Sequence, residues 1–288
     1  MTIHLLVNPA AGRGRSMAMS TRVGRLLGAD TKVHISPSLD EAVALAGTFG
    51  PDDTVAVLGG DGMVAAIAGQ AVQTQSLFLP LPGGSGNDVC RALGMGTDPI
   101  AVAKRARHYH ERPMDVISAD NRIVTCAVSY ALIAQTAHLA NTSPGFFPAG
   151  TQYMWGLAMS MFTTAPRVRI TTDQGVVVNG RTWLATLSNL PNLGNGLTVC
   201  PPARIDDGLM DLLWTDPLPK ASLLSALWRI PAKKLLEHPS VHHMQVKEAQ
   251  VQVWHEPASA DGEVIRPPKT VKVLPHALRV LAPRKQRS

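Results

Sequence analysis

Cysteine is scarce in this chain, with three residues in 288. Cys90, Cys126 and Cys200 form no Cys-x-x-Cys pair, so their spacing builds neither a disulfide framework nor a zinc site and implies a reducing compartment. Aromatic residues are only 5% of the chain and the basic residues are scattered, which argues against nucleic acid as a partner. The opening Met1-Thr2-Ile3-His4 lacks the basic, apolar and small-residue order of a signal peptide and reads as the first strand of a fold. Charge is sparse too, at 17%, and between Ile123 and Pro166 there is no Asp, Glu, Lys or Arg at all. That stretch is not a transmembrane segment, because Gln135, His138, Asn141, Pro144 and Pro148 interrupt it. It is either a buried core segment or a pocket for a greasy substrate. Two nucleotide fingerprints are also missing: Gly-x-Gly-x-x-Gly at the first turn, and Gly-x-x-x-x-Gly-Lys-Ser/Thr.

What is present is a globular composition, 45% apolar, in a chain long enough for two domains. The net charge of +6 favours anionic partners over cationic ones, or simply serves solubility, and the Arg284, Lys285, Arg287 tail reads as solvated. Strand-like runs at 3–7, 31–36, 54–58 and 77–81 alternate with helix-like stretches at 16–27, 39–48 and 63–71. Ser38, with Glu41 three residues on, predicts a capped helix start. This alternation predicts a parallel sheet with crossover helices. After Asp115 the texture changes to short runs at 167–172, 176–178, 182–188, 210–213 and 250–255 between Gly, Pro and Asp turns, with helical breaks near 153–162 and 220–236. The expected organisation is an α/β domain over residues 1–117 and a β-rich domain over 118–276.

Three glycine-rich turns each follow a strand: Asn8-Pro9-Ala10-Ala11-Gly12-Arg13-Gly14, Gly59-Gly60-Asp61-Gly62, and Pro82-Gly83-Gly84-Ser85-Gly86-Asn87-Asp88. Backbone N–H groups at such turns, together with a helix N-terminus, make an anion site. Glycine is needed there because a phosphate must approach the backbone closely and because positive φ angles occur. Three such turns at successive strand ends, where open parallel sheets bind ligands, point to a nucleotide cradle. A carboxylate beside a phosphate repels it unless a cation mediates, so Asp61 and Asp88 are candidate magnesium partners. Asp88 has a second reading as a helix cap.

With Arg91, these turns resemble the nucleotide-binding signatures of the diacylglycerol kinase catalytic domain. The likeness continues through Arg112-Pro113-Met114-Asp115, Pro202-Ala203-Arg204-Ile205-Asp206-Asp207-Gly208-Leu209-Met210-Asp211, Asp261-Gly262-Glu263 and Val273-Leu274-Pro275-His276-Ala277-Leu278, nearly the whole chain in the family's order. Gly-Gly-Asp-Gly alone is shared with NAD kinases and phosphofructokinases. The resemblance implies an α/β N-terminal domain with a parallel, Rossmann-like sheet of the NAD-kinase and diacylglycerol-kinase type. It implies a C-terminal antiparallel β-sandwich, an active site in the cleft between the two, and residues 277–288 returning to the first domain.

The same resemblance implies ATP held by Asn8, Pro9, Ala10, Ala11, Gly12, Ser36, Gly59, Gly60, Asp61, Gly62, Met63, Gly84, Ser85, Asn87 and Asp88. Asp61, Asp88 and Asp115 would surround the nucleotide's Mg2+. Asp207, with the carbonyls of Arg204 and Leu209, would hold a structural Mg2+, although composition alone reads Asp206-Asp207-Gly208 as a plain turn. Glu263, helped by Asp261, would draw the proton from an acceptor hydroxyl. An extended Asp261–Glu263 segment would place both acids on one face, whereas Asp-Gly is also a common hairpin turn.

The implied function is an ATP-dependent lipid kinase, cytoplasmic and peripheral at the membrane, acting on diacylglycerol or a related lipid alcohol at a membrane surface. A homodimer is compatible with it. The alternatives are a soluble-substrate kinase of the NAD-kinase type and a nucleotide-binding regulator without activity. The chain departs from the family's pattern at Met63 and Ser85, where Thr is usual, and at Gly83, where an apolar residue is usual. Residues 126–130 lack the expected glycine-containing pattern, which weakens the expectation for the acceptor pocket.

Overall fold

The computed structural model describes residues 2–142, 151–194 and 196–284, so Pro144, Pro148, Lys285 and Arg287 lie outside the described residues. Strands β1 (Ile3–Val7), β2 (Lys32–Ile35), β3 (Thr54–Gly59) and β4 (Leu77–Pro82) pair in parallel in the order β2-β1-β3-β4. Around them pack helices α1 (Arg15–Leu27), α2 (Leu39–Ala46), α3 (Asp61–Thr74), α4 (Asp88–Ala92) and α5 (Pro99–Ala106). Covered strands need no polar face, which is why β3 and β4 are apolar runs buried along their whole length. Ser38 caps α2 as expected, its hydroxyl accepting the Glu41 N–H at 3.2 Å.

The chain then runs through β5 (His110–Ala119), β6 (Arg122–Val124), β7 (Ala127–Ala131), α6 (Leu132–Asn141), α7 (Gln152–Ser160), β8 (Arg167–Thr172), β9 (Gly175–Arg181) and β10 (Leu184–Ser188). A small ribbon, β11 (Asn192–Leu193) and β12 (Leu197–Thr198), precedes β13 (Met210–Thr215) and α8 (Lys220–Leu227). Last come β14 (Val241–Val246), β15 (Glu248–Val253), β16 (Ala258–Ala260), β17 (Glu263–Ile265) and the long β18 (Thr270–Ala282).

β18 ties the two halves together. Its Val280 pairs with Phe78 of β4, and its length runs antiparallel to β5 with a register shift between Leu274 and Leu278. One ten-stranded sheet therefore passes from the parallel strands through β18 into β15, β8 and β9. Against it lies a six-stranded antiparallel sheet in the order β14-β13-β10-β7-β16-β17. Ile117, Val128, Tyr130, Ile170, Leu187 and Leu212 fill the space between the sheets, and fully burying such side chains contributes roughly 1.5–3 kcal/mol each. The other face of the six-stranded sheet is also covered, by Leu132, Trp183, Leu213, Leu223 and Leu235.

Much of the charge-free stretch becomes α6 and α7, packed closely on each other. A Cβ on Gly156 would lie 2.4 Å from the Thr136 carbonyl oxygen, so only glycine permits this approach. α7 nevertheless leaves Tyr153 and Met154 exposed. No described helix is long and apolar enough to cross a membrane.

Candidate active site

Parallel pairing of β1, β3 and β4 brings the three glycine turns to one edge of the sheet. They pack backbone on backbone. A Cβ added to Gly12 would come within 2.9 Å of the Gly83 carbonyl oxygen, and one on Gly84 within 2.7 Å of the Gly60 Cα. Gly60 itself is open, its nearest neighbour being the Gly84 Cα at 3.9 Å from an added Cβ. Asn8 starts the first turn by accepting the Ala10 N–H at 2.9 Å, Pro9 lies between them, and Ala11 opens a short 3-10 turn through Gly12. Ser36 sits alongside at the end of β2, donating its N–H to the Val7 carbonyl at 3.0 Å. Asn87, at φ 54°, clasps Gly84 by accepting its N–H and donating to its carbonyl, both at 3.0 Å, and Ser85 is exposed at the tip.

Met63 turns the other way. It is 6% exposed, in the domain core, and a Cβ on Gly59 would sit 2.7 Å from its sulfur. Its side chain fills space beneath the Gly59–Gly62 turn.

Asp61 is the first residue of α3 and stitches two turns together. Its carboxylate accepts the N–H of Asn87 at 3.0 Å and of Asp88 at 2.9 Å, stabilising the start of α4. Asp88 does not cap that helix with its side chain. It reaches the second domain and accepts the Gly196 N–H at 2.9 Å. Burial holds the Asp88 carboxyl above its ordinary value, and the neighbouring Asp61 charge adds to that. Two adjacent carboxylates with like charge are an oxygen donor set that fits a hard divalent cation. Asp115 does not join them. Buried in β5, it accepts the N–H of Gly208 at 2.6 Å and of His276 at 2.7 Å, so its strand carries it to the 204–209 turn instead. Asp61, Asp88 and Asp115 thus form no cluster with ligand atoms all within 4.8 Å.

Across the cleft, Asp261 and Gly262 form the tight turn between β16 and β17, with φ of 50° and 85°. Two positive φ angles are the signature of a hairpin turn, so the extended alternative is excluded. The Asp261 carboxylate is enclosed and accepts from the Thr125 N–H at 2.8 Å, the Thr125 hydroxyl at 3.1 Å, the Cys126 N–H at 2.7 Å and the Ala127 N–H at 3.3 Å. Burial pushes its pKa up while those donors pull it down. With both oxygens engaged, Asp261 organises the 125–127 backbone. Glu263 is half-exposed and ion-paired with Arg122. Its Oε1 lies 3.6 Å from the position a Gly62 Cβ would take, so it faces the second glycine turn. Gly62, Ala65, Arg122, Ile123, Asp261 and Glu263 contribute to the walls of a cleft of about 250 Å³.

Cys126 marks where the turns meet. Burial raises its thiol well above the ordinary value, and the Asp261, Asp88 and Asp61 carboxylates raise it further. Residues that the sequence did not flag complete the frame. Arg122 holds Glu263, and the buried Asn189 amide donates to the carbonyls of Asp115 at 2.8 Å and Thr125 at 3.1 Å. The Tyr153 hydroxyl donates to the Gly262 carbonyl at 3.4 Å. At the 204–209 turn, Asp207 accepts the Leu209 N–H at 3.1 Å and the Gln245 amide at 3.2 Å. Its carboxyl is raised by burial and then by Asp211 and Asp115. That local excess of negative charge fits an oxygen-preferring cation.

The parallel sheet thus presents glycine turns to a carboxylate-lined cleft against an antiparallel sheet, and the chain's likeness to known proteins says which class of protein is built this way. Residues 2–119 match the diacylglycerol kinase catalytic domain, and residues 126–282 match the YegS C-terminal NAD kinase beta sandwich-like domain. The chain belongs to the diacylglycerol-kinase-like lipid kinase family and is a phosphotransferase. It is 28% identical to a diacylglycerol kinase of Mycobacterium tuberculosis, over 97% of this chain and 94% of that one. It is 29% identical to a Shewanella frigidimarina protein named "Probable lipid kinase YegS-like", over 80% of this chain and 76% of that protein. The crystal structure of a diacylglycerol kinase from Bacillus anthracis shares the fold, with a TM-score of 0.73 at 20% identity over 98% of this chain and 97% of that one.

Proposed function

We propose that the protein transfers the γ-phosphoryl group of ATP to the hydroxyl of a lipid alcohol such as diacylglycerol. One observation carries this reading: Glu263 stands across a small cleft from the Gly62 turn, accessible, while its neighbour Asp261 is wholly committed to the backbone behind it. The Gly12, Gly60, Gly62 and Gly84 backbones offer close approach for phosphate oxygens. Glu263 accepts the proton of the acceptor hydroxyl as its oxygen bonds to the γ-phosphorus and the bond to the β-phosphate oxygen breaks. Arg122 holds the Glu263 carboxylate in place, and Asp261 fixes the turn that presents it. Asp61 and Asp88 would hold the nucleotide's Mg2+, which supplies charge neutralisation when bound. Asp207, with the Arg204 and Leu209 carbonyls, would hold a structural Mg2+.

A lipid acceptor is favoured over a soluble one because α7, from the charge-free stretch, touches the catalytic turn through Tyr153 and leaves Tyr153 and Met154 exposed beside it. Work at a membrane surface follows from such an acceptor. Single-turnover transfer from labelled ATP, with a diacylglycerol dispersion or a soluble alcohol as acceptor, tests the proposal. Label should move to the lipid fraction. Label moving only to the soluble acceptor would refute lipid kinase activity, and none moving to either would refute catalysis.

A further inference from the structure

The six-stranded sheet carries a second polar cluster that phosphoryl transfer does not use. Asp211 on β13 is fully buried. Its Oδ1 lies 2.6 Å from the His243 Nε2 on β14, while its Oδ2 has no hydrogen-bond partner among the described residues. The register explains the meeting. Asp211 pairs with Gln245 and Leu213 with His243, which places Asp211 and His243 diagonally on one face. Ser188, directly opposite Asp211 on β10, is also fully buried with its Oγ unpartnered. Cys200 closes the group. A ligand atom from each of Cys200, Asp211 and His243 lies within 4.8 Å of the other two. A buried carboxylate oxygen left without a hydrogen-bond partner is costly unless something positive shares the space.

We propose that Cys200, Asp211 and His243 bind a transition-metal ion of the zinc class. A thiolate, an imidazole and a carboxylate are a zinc donor set, whereas Mg2+ and Ca2+ take oxygen ligands. Charge balances as well: one thiolate and one carboxylate neutralise a divalent ion in a buried place, and the imidazole stays neutral. The thiol proton leaves to solvent as the sulfur–metal bond forms. Metal–ligand lengths of about 2.0–2.3 Å put tetrahedral donors roughly 3.3–3.7 Å apart. The His243–Asp211 pair therefore opens slightly and Cys200 stays close. The His243 side chain is 25% exposed, which gives the ion an entry path and a water a fourth position. The cluster is not a nucleophilic site, because Cys200 is fully buried and its thiol is pushed up by burial and by Asp211. The ion ties the segment around Cys200, which leads straight into the 204–209 turn, to strands β13 and β14. Cysteine spacing excluded a zinc site because it tests for cysteine pairs. One thiol joined by residues 11 and 43 positions later has no such signature.

The test uses the full chain, stripped with a chelator and titrated with Co2+ as a spectroscopic probe. One Co2+ per chain should bind with a thiolate-to-metal charge-transfer absorption that Zn2+ abolishes and Mg2+ does not. Cys200→Ser should remove that absorption. His243→Gln, at a partly exposed position where the fold is kept, should weaken Co2+ binding by roughly 100-fold or more. No charge-transfer absorption in the wild type would overturn the proposal. So would an absorption that survives Cys200→Ser, which would come from Cys90 or Cys126, or undiminished affinity in His243→Gln.

Discussion

Replacing Gly60 and Gly83 by alanine, one at a time, separates holding the cradle together from admitting a ligand to it. A methyl on Gly83 would lie 2.8 Å from the Gly59 nitrogen and the Ser16 Oγ and 2.9 Å from the Gly59 carbonyl oxygen. Two of those atoms are backbone in a buried strand and cannot swing aside. Overpacking of this kind costs about 1–3 kcal/mol, a drop of several degrees in Tm. Gly60 has φ −82°, which any residue adopts, and an added Cβ meets nothing nearer than 3.9 Å. Gly60→Ala should therefore stay within about 0.5 kcal/mol of the wild type. Its methyl would nonetheless occupy the open side through which a phosphate is proposed to reach the backbone. Thermal melting with and without Mg-ATP reads both effects. At 100 times its Kd, ATP should stabilise the wild type by about 2.7 kcal/mol. Gly60→Ala should keep the basal Tm and lose most of that gain, while Gly83→Ala should start lower. A Gly60→Ala protein with both the basal Tm and the full ATP-induced rise would refute the assignment of this turn to phosphate.

Met63→Thr should destabilise by roughly 1–3 kcal/mol in urea unfolding, because it removes buried volume and puts a hydroxyl among apolar atoms. Raised turnover at unchanged stability would show that Met63 faces the nucleotide after all. Asp261→Asn should cost about 1–3 kcal/mol, since its amide would point N–H donors at the N–H groups of residues 125–127. Unchanged stability with lost turnover would make Asp261 a proton acceptor rather than a positioning residue. Glu111 pairs with Arg279, whose hydrogen bond holds its carboxyl below the ordinary value. That contribution is present above the unfolded carboxylate pKa and is lost as pH falls through the folded one. Being exposed, it amounts to under about 1 kcal/mol. Glu111→Gln should thus melt slightly lower than the wild type at neutral pH and converge with it in acid. A gap that persists in acid would refute the pairing's role.

The parallel strands and their turns were legible because apolar runs ending in glycine are a local signal, and β1 through β4 appear within two residues of their expected bounds. The helix expected from Met63 begins two residues earlier, at Asp61, because a glycine turn can end directly in a helix. α5 and α6 were not foreseen, since Pro99–Ala106 and Leu132–Asn141 are only 8 and 10 residues long, too short a window for a helical period to stand out. Asp115 was expected beside Asp61 and Asp88, but its place depends on the pairing of β5 with β18 across 160 residues, which no local pattern encodes. Arg122, Thr125 and Asn189 escaped notice for a related reason. Arg122 and Thr125 meet Glu263 and Asp261 across 141 and 136 positions, and Asn189 meets Thr125 across 64, so nothing near them in the sequence signals these contacts.

Glu263 is proposed as the group that accepts the proton from a lipid hydroxyl. Single-turnover phosphoryl transfer from ATP to a diacylglycerol dispersion, comparing the wild type with Glu263→Gln at saturating Mg-ATP, tests it most directly. The amide keeps the side chain's size and a hydrogen bond with Arg122 while removing the base. Transfer should fall by ~10²–10⁴-fold, the range for losing a general base, with ATP binding nearly unchanged. Wild-type transfer by Glu263→Gln would rule out Glu263 as the base and return the Asp261–Glu263 segment to the status of a hairpin turn.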